Sequence, residues 1–234
     1  VKSTSTDEAA AAFEALAKPD TIALTLQNGL GNEEILRRHF GAHRTAAGVT
    51  SQGATFLGPG RIRHAGKGPT HMAMSNGDQS RLEPLAEALS AAGFEVHVDK
   101  DVAGMVWSKL LINVGINALT ALLGVKNGAL LDYPDIKAVM ADLVAEALAV
   151  VRAKGITLTY ADPLATVYEV AAKTGANFSS MLQDFQKNRA SEIDFMNGAI
   201  LREAKALGLS VPVNETLTRL VRTLDSIHVS KGGA

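Results

Sequence analysis

The stretch 101–123 constrains this chain more than any other. It follows an apolar helix pattern, broken at regular intervals by polar side chains. Its centre reads Trp107-Ser108-Lys109-Leu110-Leu111-Ile112-Asn113-Val114-Gly115-Ile116-Asn117. Lys109, Asn113 and Asn117 are spaced i, i+4, i+8, which stacks three side chains on one helix face, one turn apart. An ammonium and two carboxamides beside Leu110, Leu111, Ile112 and Ile116 are costly in apolar surroundings unless something satisfies them. A small carboxylate with an adjacent oxygen meets that need. Taken one at a time, Lys109 also fits a solvated surface lysine and the asparagines fit backbone-bonding residues. Lys109 interrupts the longest apolar run, so no uncharged stretch of membrane-spanning length is present.

On either side of residue 100 the chain changes character. Residues 1–100 alternate short helices and strands. The pattern predicts helices at 7–16, 33–40 and 78–92, and strands at 21–26, 45–51 and 94–98. A Gly-rich stretch at 54–74 contains Pro59-Gly60, which marks a hairpin turn. This is an α/β pattern of the doubly wound kind with an added hairpin. Residues 101–234 carry no strand pattern. Helices are predicted at 101–123, 134–154, 162–174, 178–188, 191–207 and 213–228, with Gly124, Gly155, Gly175 and Gly208 after them and Asp135, Asp162 and Asn214 near their starts. The expected architecture is therefore a partial doubly wound, Rossmann-like α/β domain over 1–100, followed by an all-α domain over 101–234.

Composition excludes several functions. The 234 residues are 47% hydrophobic and 20% charged, in the range of a globular protein with a sizeable core. A net charge of −1 provides no electrostatic footprint for nucleic acid or an anionic membrane. Cysteine is absent, which rules out disulfides and thiolate chemistry and fits a reducing, cytoplasmic compartment. No signal peptide is visible and no metal is expected.

Two glycine patterns imitate nucleotide sites. Gly29-Leu30-Gly31-Asn32-Glu33-Glu34 starts like G-x-G-x-x-G, but Glu34 replaces the third glycine, so it is not the dinucleotide fingerprint. It still places Asn28 and nearby backbone N–H groups at the carboxyl edge of a sheet, where ligands bind in open α/β folds. The run from Gly60 to Gly68 has one spacer too many for a P-loop and reads as a hairpin. Further along, Asn177 or Ser179 is available to cap one helix, and Ser191 or Glu192 to start another.

Four of these segments, in order, resemble motifs of the ketopantoate reductase family. They are Asn28-Gly29-Leu30-Gly31, the helix from Trp107 through Asn117-Ala118-Leu119-Thr120-Ala121, Asn177-Phe178-Ser179-Ser180-Met181-Leu182-Gln183-Asp184, and Ser191-Glu192-Ile193-Asp194-Phe195-Met196-Asn197-Gly198. Together they span nearly the whole chain. The resemblance implies that NADPH (cofactor NADP) delivers a hydride to C2 of a 2-oxo acid, for ketopantoate the step before pantothenate and coenzyme A. It implies that Lys109 is the general acid and that Glu192 is a catalytic carboxylate at the cofactor, on its ribose and close to the lysine. Asn113 and Asn117 then bind the substrate's hydroxyl and carboxylate ends, with Asn127, Asn177 and Ser180 contributing further contacts. Asn28 sits where nicotinamide and substrate meet, and Lys2 and Ala54 match cofactor-side positions. Ala118 stands where many relatives carry Pro.

The family's first strand, its G-x-G-x-x-[GA] turn and the helix after it have no counterpart within these residues, and Val1 is not a translation start. The expectation is a reductase seen without its first βαβ unit, and a chain that is not a competent reductase over residues 1–234 alone. Two alternatives stay open: a reductase of another branched 2-oxo acid, and a cofactor-free fragment acting as an interaction domain. A homodimer is a further open possibility.

Overall fold

The structure, a computed structural model, describes residues 1–232. The chain forms two compact units, Val1–Val106 and Trp107–Ala234.

The first unit is built on a four-stranded sheet in the order β1 (Ala23–Thr25), β2 (Thr45–Thr50), β5 (Thr70–Met74), β6 (Val96–Val98). Between β2 and β5 the chain leaves the sheet as a separate hairpin, β3 (Gly53–Gly58) and β4 (Arg61–Gly66), turning at Pro59-Gly60 with Gly60 at φ 72°. That excursion explains a departure from a purely parallel sheet. β1 pairs with β2, and β5 with β6, in parallel, whereas β2 and β5 are antiparallel because the hairpin returns the chain in reverse.

Register sorts the side chains onto two faces. Leu24, Ala46, Met72 and Met74 pack with Leu82 and Ala86 at the helix α3 (Glu83–Ala91). On the opposite face Ala23 packs with Ala10, Leu36 and Phe40 of α1 (Thr6–Glu14) and α2 (Asn32–Phe40), and Ala47 and Ala73 pack with Val102 and Val106. Helices on both faces of a sheet make this a Rossmann-like layer arrangement. The segment predicted as a helix at 78–92 begins as a 3-10 turn at Gln79–Leu82, with Pro84 in the first turn of α3.

The second unit is helical: α4 (Ala103–Leu123), α5 (Pro134–Ala153), α6 (Pro163–Lys173), α7 (Ser180–Gln186), α8 (Asn197–Ala206) and α9 (Pro212–Gly232). The division between units falls within α4. By length and hydropathy α4 qualifies as a membrane span, yet 67% of its most apolar window is buried in the protein, so the fold uses it as a core helix. Leu110, Leu111 and Val114 are at most 1% exposed, and Leu143, Val144, Val167, Met181 and Ile200 of the helices that follow are at most 2% exposed. Gly115 permits close approach of two other helices: a Cβ there would lie 2.8 Å from Val167 Cγ1 and 3.3 Å from Val144 Cγ2.

Local chemistry sets the helix starts. Asp162 accepts from the Ala165 N–H at 3.0 Å and Ser179 from the Leu182 N–H at 3.1 Å, each capping a helix. Glu146 of α5 accepts from the Val213 and Asn214 N–H groups, so a carboxylate from a neighbouring helix caps α9. The helix expected over 191–207 is interrupted. A 3-10 turn, Ile193–Phe195, precedes α8, and Met196, at φ −113° and ψ −102°, breaks the helical path between them.

Two predictions follow from this packing. Gly128, in the 3-10 segment Asn127–Asp132, lies so close to Gly175 that an added Cβ would meet the Gly175 Cα at 2.8 Å. Gly128→Ala is expected to destabilise the protein by about 1–3 kcal/mol, the range for overpacking a tight contact. An unchanged urea midpoint would show that the two backbones separate freely. In the first unit, His39 bridges Glu14 (2.9 Å) and Asp7 (3.2 Å), joining α2 to α1. Glu14 first, then Asp7, raise the His39 pKa above its ordinary 6.5. Because the folded pKa is raised, the stabilisation is complete below the unfolded value and is lost as pH rises through the folded one. Melting temperatures followed against pH should fall across that window, and the fall should be smaller in His39→Gln.

Candidate functional site

The polar ladder lies along α4 in the second unit. Asn117 is buried at 6% exposure; Asn113 and Lys109, one and two turns earlier, are partly exposed. Burial lowers the Lys109 pKa below the ordinary lysine value of 10.5. The Asn117 side-chain amide donates to Ser180 Oγ at 3.4 Å and lies 3.4 Å from Met196 Sδ. Asn113 Nδ2 is buried and has no hydrogen-bond partner in the protein. An unpartnered buried amide donor costs free energy that a bound acceptor recovers.

Asn177 and Ser179 take separate roles. Ser179 caps α7, and its Oγ lies 2.7 Å from Thr120 Oγ1 of α4, one turn beyond the ladder. Asn177 is exposed, and its carbonyl accepts from the Asn127 N–H at 3.0 Å, which ties the two predicted substrate residues together. Asn127 Nδ2 donates to Thr174 Oγ1 at 2.9 Å, while its Oδ1 is buried without a partner. Among the described residues, the second unit thus holds an unsatisfied amide donor at Asn113 and two unsatisfied amide acceptors, Asn127 Oδ1 and Asn197 Oδ1.

Glu192 is 6% exposed, on the loop that leads into the Ile193–Phe195 turn. Ser191 beside it is held by α9: its N–H and its Oγ each donate to an Asp225 carboxylate oxygen at 2.8 Å. Burial raises the Asp225 pKa, opposed by these two bonds and assisted by Asp194 and Asp184. Asp225 is missing from the sequence reading because it lies in no motif and sits 34 residues from the group it holds. Asn197 of the last motif is also structural. Its Nδ2 reaches Asn214 Oδ1 at 3.0 Å and the Val114 carbonyl at 3.4 Å, linking α8 to α9 and α4.

In the first unit β1 runs into the turn Asn28–Gly31, and Gly29 (φ 86°) and Gly31 (φ 110°) take the left-handed conformation that the turn into α2 requires. A buried polar network fixes this turn. Ser3 Oγ donates to the Asn28 carbonyl at 3.3 Å, and Asn32 Nδ2 donates to Ser3 Oγ at 3.1 Å. Thr6 Oγ1 donates to Asn32 Oδ1 at 2.9 Å, and Gln27 Nε2 to Thr6 Oγ1 at 2.9 Å. Lys2 is therefore held one residue from the group that bonds Asn28. Ala54 lies elsewhere, exposed on β3 of the separate hairpin.

The turn at the carboxyl end of β1 is small and polar. The first turn of α2 fits a pyrophosphate poorly, since it carries Glu33 and Glu34. Among the described residues no three His, Asp or Glu side chains are grouped to hold a metal.

Comparison with known proteins bears on all of these segments. A family model described as ketopantoate reductase PanE/ApbA matches residues 1–77, and its C-terminal counterpart matches residues 101–225. The chain is 39% identical over 202 residues to a 2-dehydropantoate 2-reductase of Halobacterium salinarum, covering 86% of this chain and 66% of that protein. It thus spans just under two thirds of that relative's length. The crystal structure of a PanE/ApbA family ketopantoate reductase from Ralstonia eutropha JMP134 superposes with a TM-score of 0.90 at 35% identity, over 97% of this chain and 74% of that one. A ternary structure of D-mandelate dehydrogenase with NADH and anilino(oxo)acetate superposes with a TM-score of 0.88 at 27% identity, over 97% and 75%. With both halves matched by the family's own models and the motif residues placed on the elements described above, this chain belongs to the ketopantoate reductase family.

Proposed function

We propose that this chain carries the substrate-reducing machinery of a nicotinamide-dependent 2-oxo acid reductase, acting on 2-dehydropantoate to give (R)-pantoate. The observation that carries this reading is the α4 ladder: a desolvated lysine with an unpartnered buried amide donor one turn away. A 2-oxo acid complements that row, since its carbonyl and carboxylate supply acceptors for an ammonium and an amide. The family relationship supports the substrate, and NADPH is the cofactor that the resemblance implies.

In this reading Lys109 donates a proton to the substrate's carbonyl oxygen and stabilises the negative charge that develops there. When bound, the cofactor supplies the hydride that reaches C2. Asn113 donates its amide N–H to the substrate, and Asn117 with Ser180 binds the far end. Asn127 and Asn177 complete the polar wall, and Asn127 Oδ1 accepts a substrate hydroxyl. Glu192 orients the lysine or a cofactor ribose hydroxyl, and Asn28, Lys2 and Ala54 serve the cofactor side. A second reading, reduction of a different branched or aromatic 2-oxo acid, is favoured by the likeness to the mandelate dehydrogenase complex. A turnover screen of several 2-oxo acids with NADPH and with NADH separates the two, the proposal requiring that 2-dehydropantoate with NADPH give the highest kcat/KM.

Lys109→Ala is expected to lower kcat by about 100-fold or more, the usual contribution of a positioned proton donor. Retention of more than about a tenth of kcat would remove Lys109 from that role. As a donor it must be protonated, so kcat falls as pH rises through its lowered pKa, at lower pH than for an ordinary lysine.

Asn113→Leu separates binding from stability. Its Nδ2 is unpartnered in the protein alone, so the substitution should leave the melting temperature unchanged or raise it. Loss of the ligand hydrogen bond should raise KM for the 2-oxo acid by about 5- to 100-fold, roughly 1–3 kcal/mol. A lower melting temperature with unchanged KM would place that amide in the fold instead of the site.

A further inference from the structure

The loop after α5 grips α4 one residue before the candidate proton donor. Ser108 is 4% exposed, and it is held at two points by the segment that follows Gly155. The Tyr160 hydroxyl donates to the Ser108 carbonyl at 2.7 Å. The Thr159 N–H donates to Ser108 Oγ at 2.9 Å. The end of α5 reaches the preceding residue too: Lys154 Nζ lies 5.8 Å from the centroid of the Trp107 ring and 2.5 Å from Glu203 Oε2 of α8. The helical residues just before Lys109 are thus each engaged by one continuous segment, 154–160.

The Tyr160 bond acts on a particular plane. The peptide group joining Ser108 to Lys109 is rigid, so the Ser108 carbonyl fixes the plane that also holds the Lys109 nitrogen and Cα. A helical carbonyl already has an acceptor role within the helix, and a second donor from outside draws it outward and bends the turn. Burial pushes the Tyr160 pKa up to about 12, which keeps the hydroxyl protonated and able to donate. The bond is part-buried and short, and it adds nothing to the hydrophobic core that a phenylalanine would not also provide.

We propose that Tyr160 is a positioning residue for Lys109: by donating to the Ser108 carbonyl it sets the peptide plane from which the Lys109 side chain leaves α4, holding the ammonium in its desolvated place. This rests on the reading of Lys109 as proton donor. Tyr160 touches neither substrate nor cofactor in this account, and its effect passes through the backbone.

The test is Tyr160→Phe, which removes one oxygen. Its first readout is the titration of Lys109 itself, followed through its Cε resonance by carbon NMR and assigned by its loss in Lys109→Met. In the unmodified protein the midpoint lies below that of an ordinary lysine. In Tyr160→Phe the loosened turn lets the ammonium reach water, and the midpoint is expected to rise by about half a pH unit or more. The second readout is kcat for the 2-oxo acid, expected to fall about tenfold, with KM within about twofold, as for a reacting group displaced by a fraction of an ångström. An unmoved Lys109 titration overturns the proposal, whatever happens to kcat or to melting temperature, because a merely structural hydroxyl would change stability alone. The two readings fail separately. If Lys109→Ala keeps its activity, the proton-donor role is wrong, while the NMR titration still reports whether Tyr160 places the lysine.

Discussion

Burial of polar groups along α4 is the constraint on which the rest of this unit turns. A helix whose apolar residues make it a core element also carries Lys109, Asn113 and Asn117 on one stripe. Most of its residues from Trp107 onward are buried. Apolar packing alone cannot satisfy that stripe, so the neighbouring segments are arranged to answer it. Ser180 and Met196 meet Asn117, burial depresses the Lys109 pKa, and Asn113 keeps a donor unused. An unused donor in a packed protein is destabilising, typically by 1–3 kcal/mol, and such strain is tolerated where a ligand relieves it.

The supports are polar as well, and they reach across the sequence. Asn197 and Asn214, both fully buried, bond one another and contact α4 and α5 through the Val114 and Leu143 carbonyls. Asp225 takes both donors of Ser191 and so fixes the loop that carries Glu192. Ser108 is held by Thr159 and Tyr160. In each case a side-chain carboxylate, amide or hydroxyl holds backbone of a separate segment. Directional bonds of this kind fix orientation more tightly than apolar contact does. The first unit follows the same practice at the Asn28 turn, where Gln27, Thr6, Asn32 and Ser3 form a continuous chain of bonds ending on the Asn28 carbonyl.

Much of this was legible in the sequence, for physical reasons that differ by element. The long helices declared themselves through apolar periodicity and end signals: α5 and α6 begin at Pro134 and Pro163, and Gly155 follows the end of α5. The hairpin was marked by Pro59-Gly60. The antiparallel pairing of β2 with β5 was not, because pairing direction depends on where the hairpin sends the chain, which no local pattern records. The break at Met196 was hidden as well, since a methionine carries no helix-breaking signal of its own. The ladder residues could be named because a period of four is visible in one helix. The supporting residues Ser108, Tyr160, Asp225 and Asn214 could not, because each is defined by a partner 17 or more residues away.

The central claim is that the unpartnered Asn113 amide awaits a 2-oxo acid. Side-chain amide NMR measures this directly: the Nδ2 protons of Asn113, assigned through Asn113→Leu, are followed as 2-dehydropantoate is added with NADP⁺ present. The account predicts that these two protons shift on binding, and that pivalate, which has the branched carbon and the carboxylate but no 2-oxo group, moves them far less. Resonances that stay in place while the substrate binds, or that respond equally to pivalate, would contradict it.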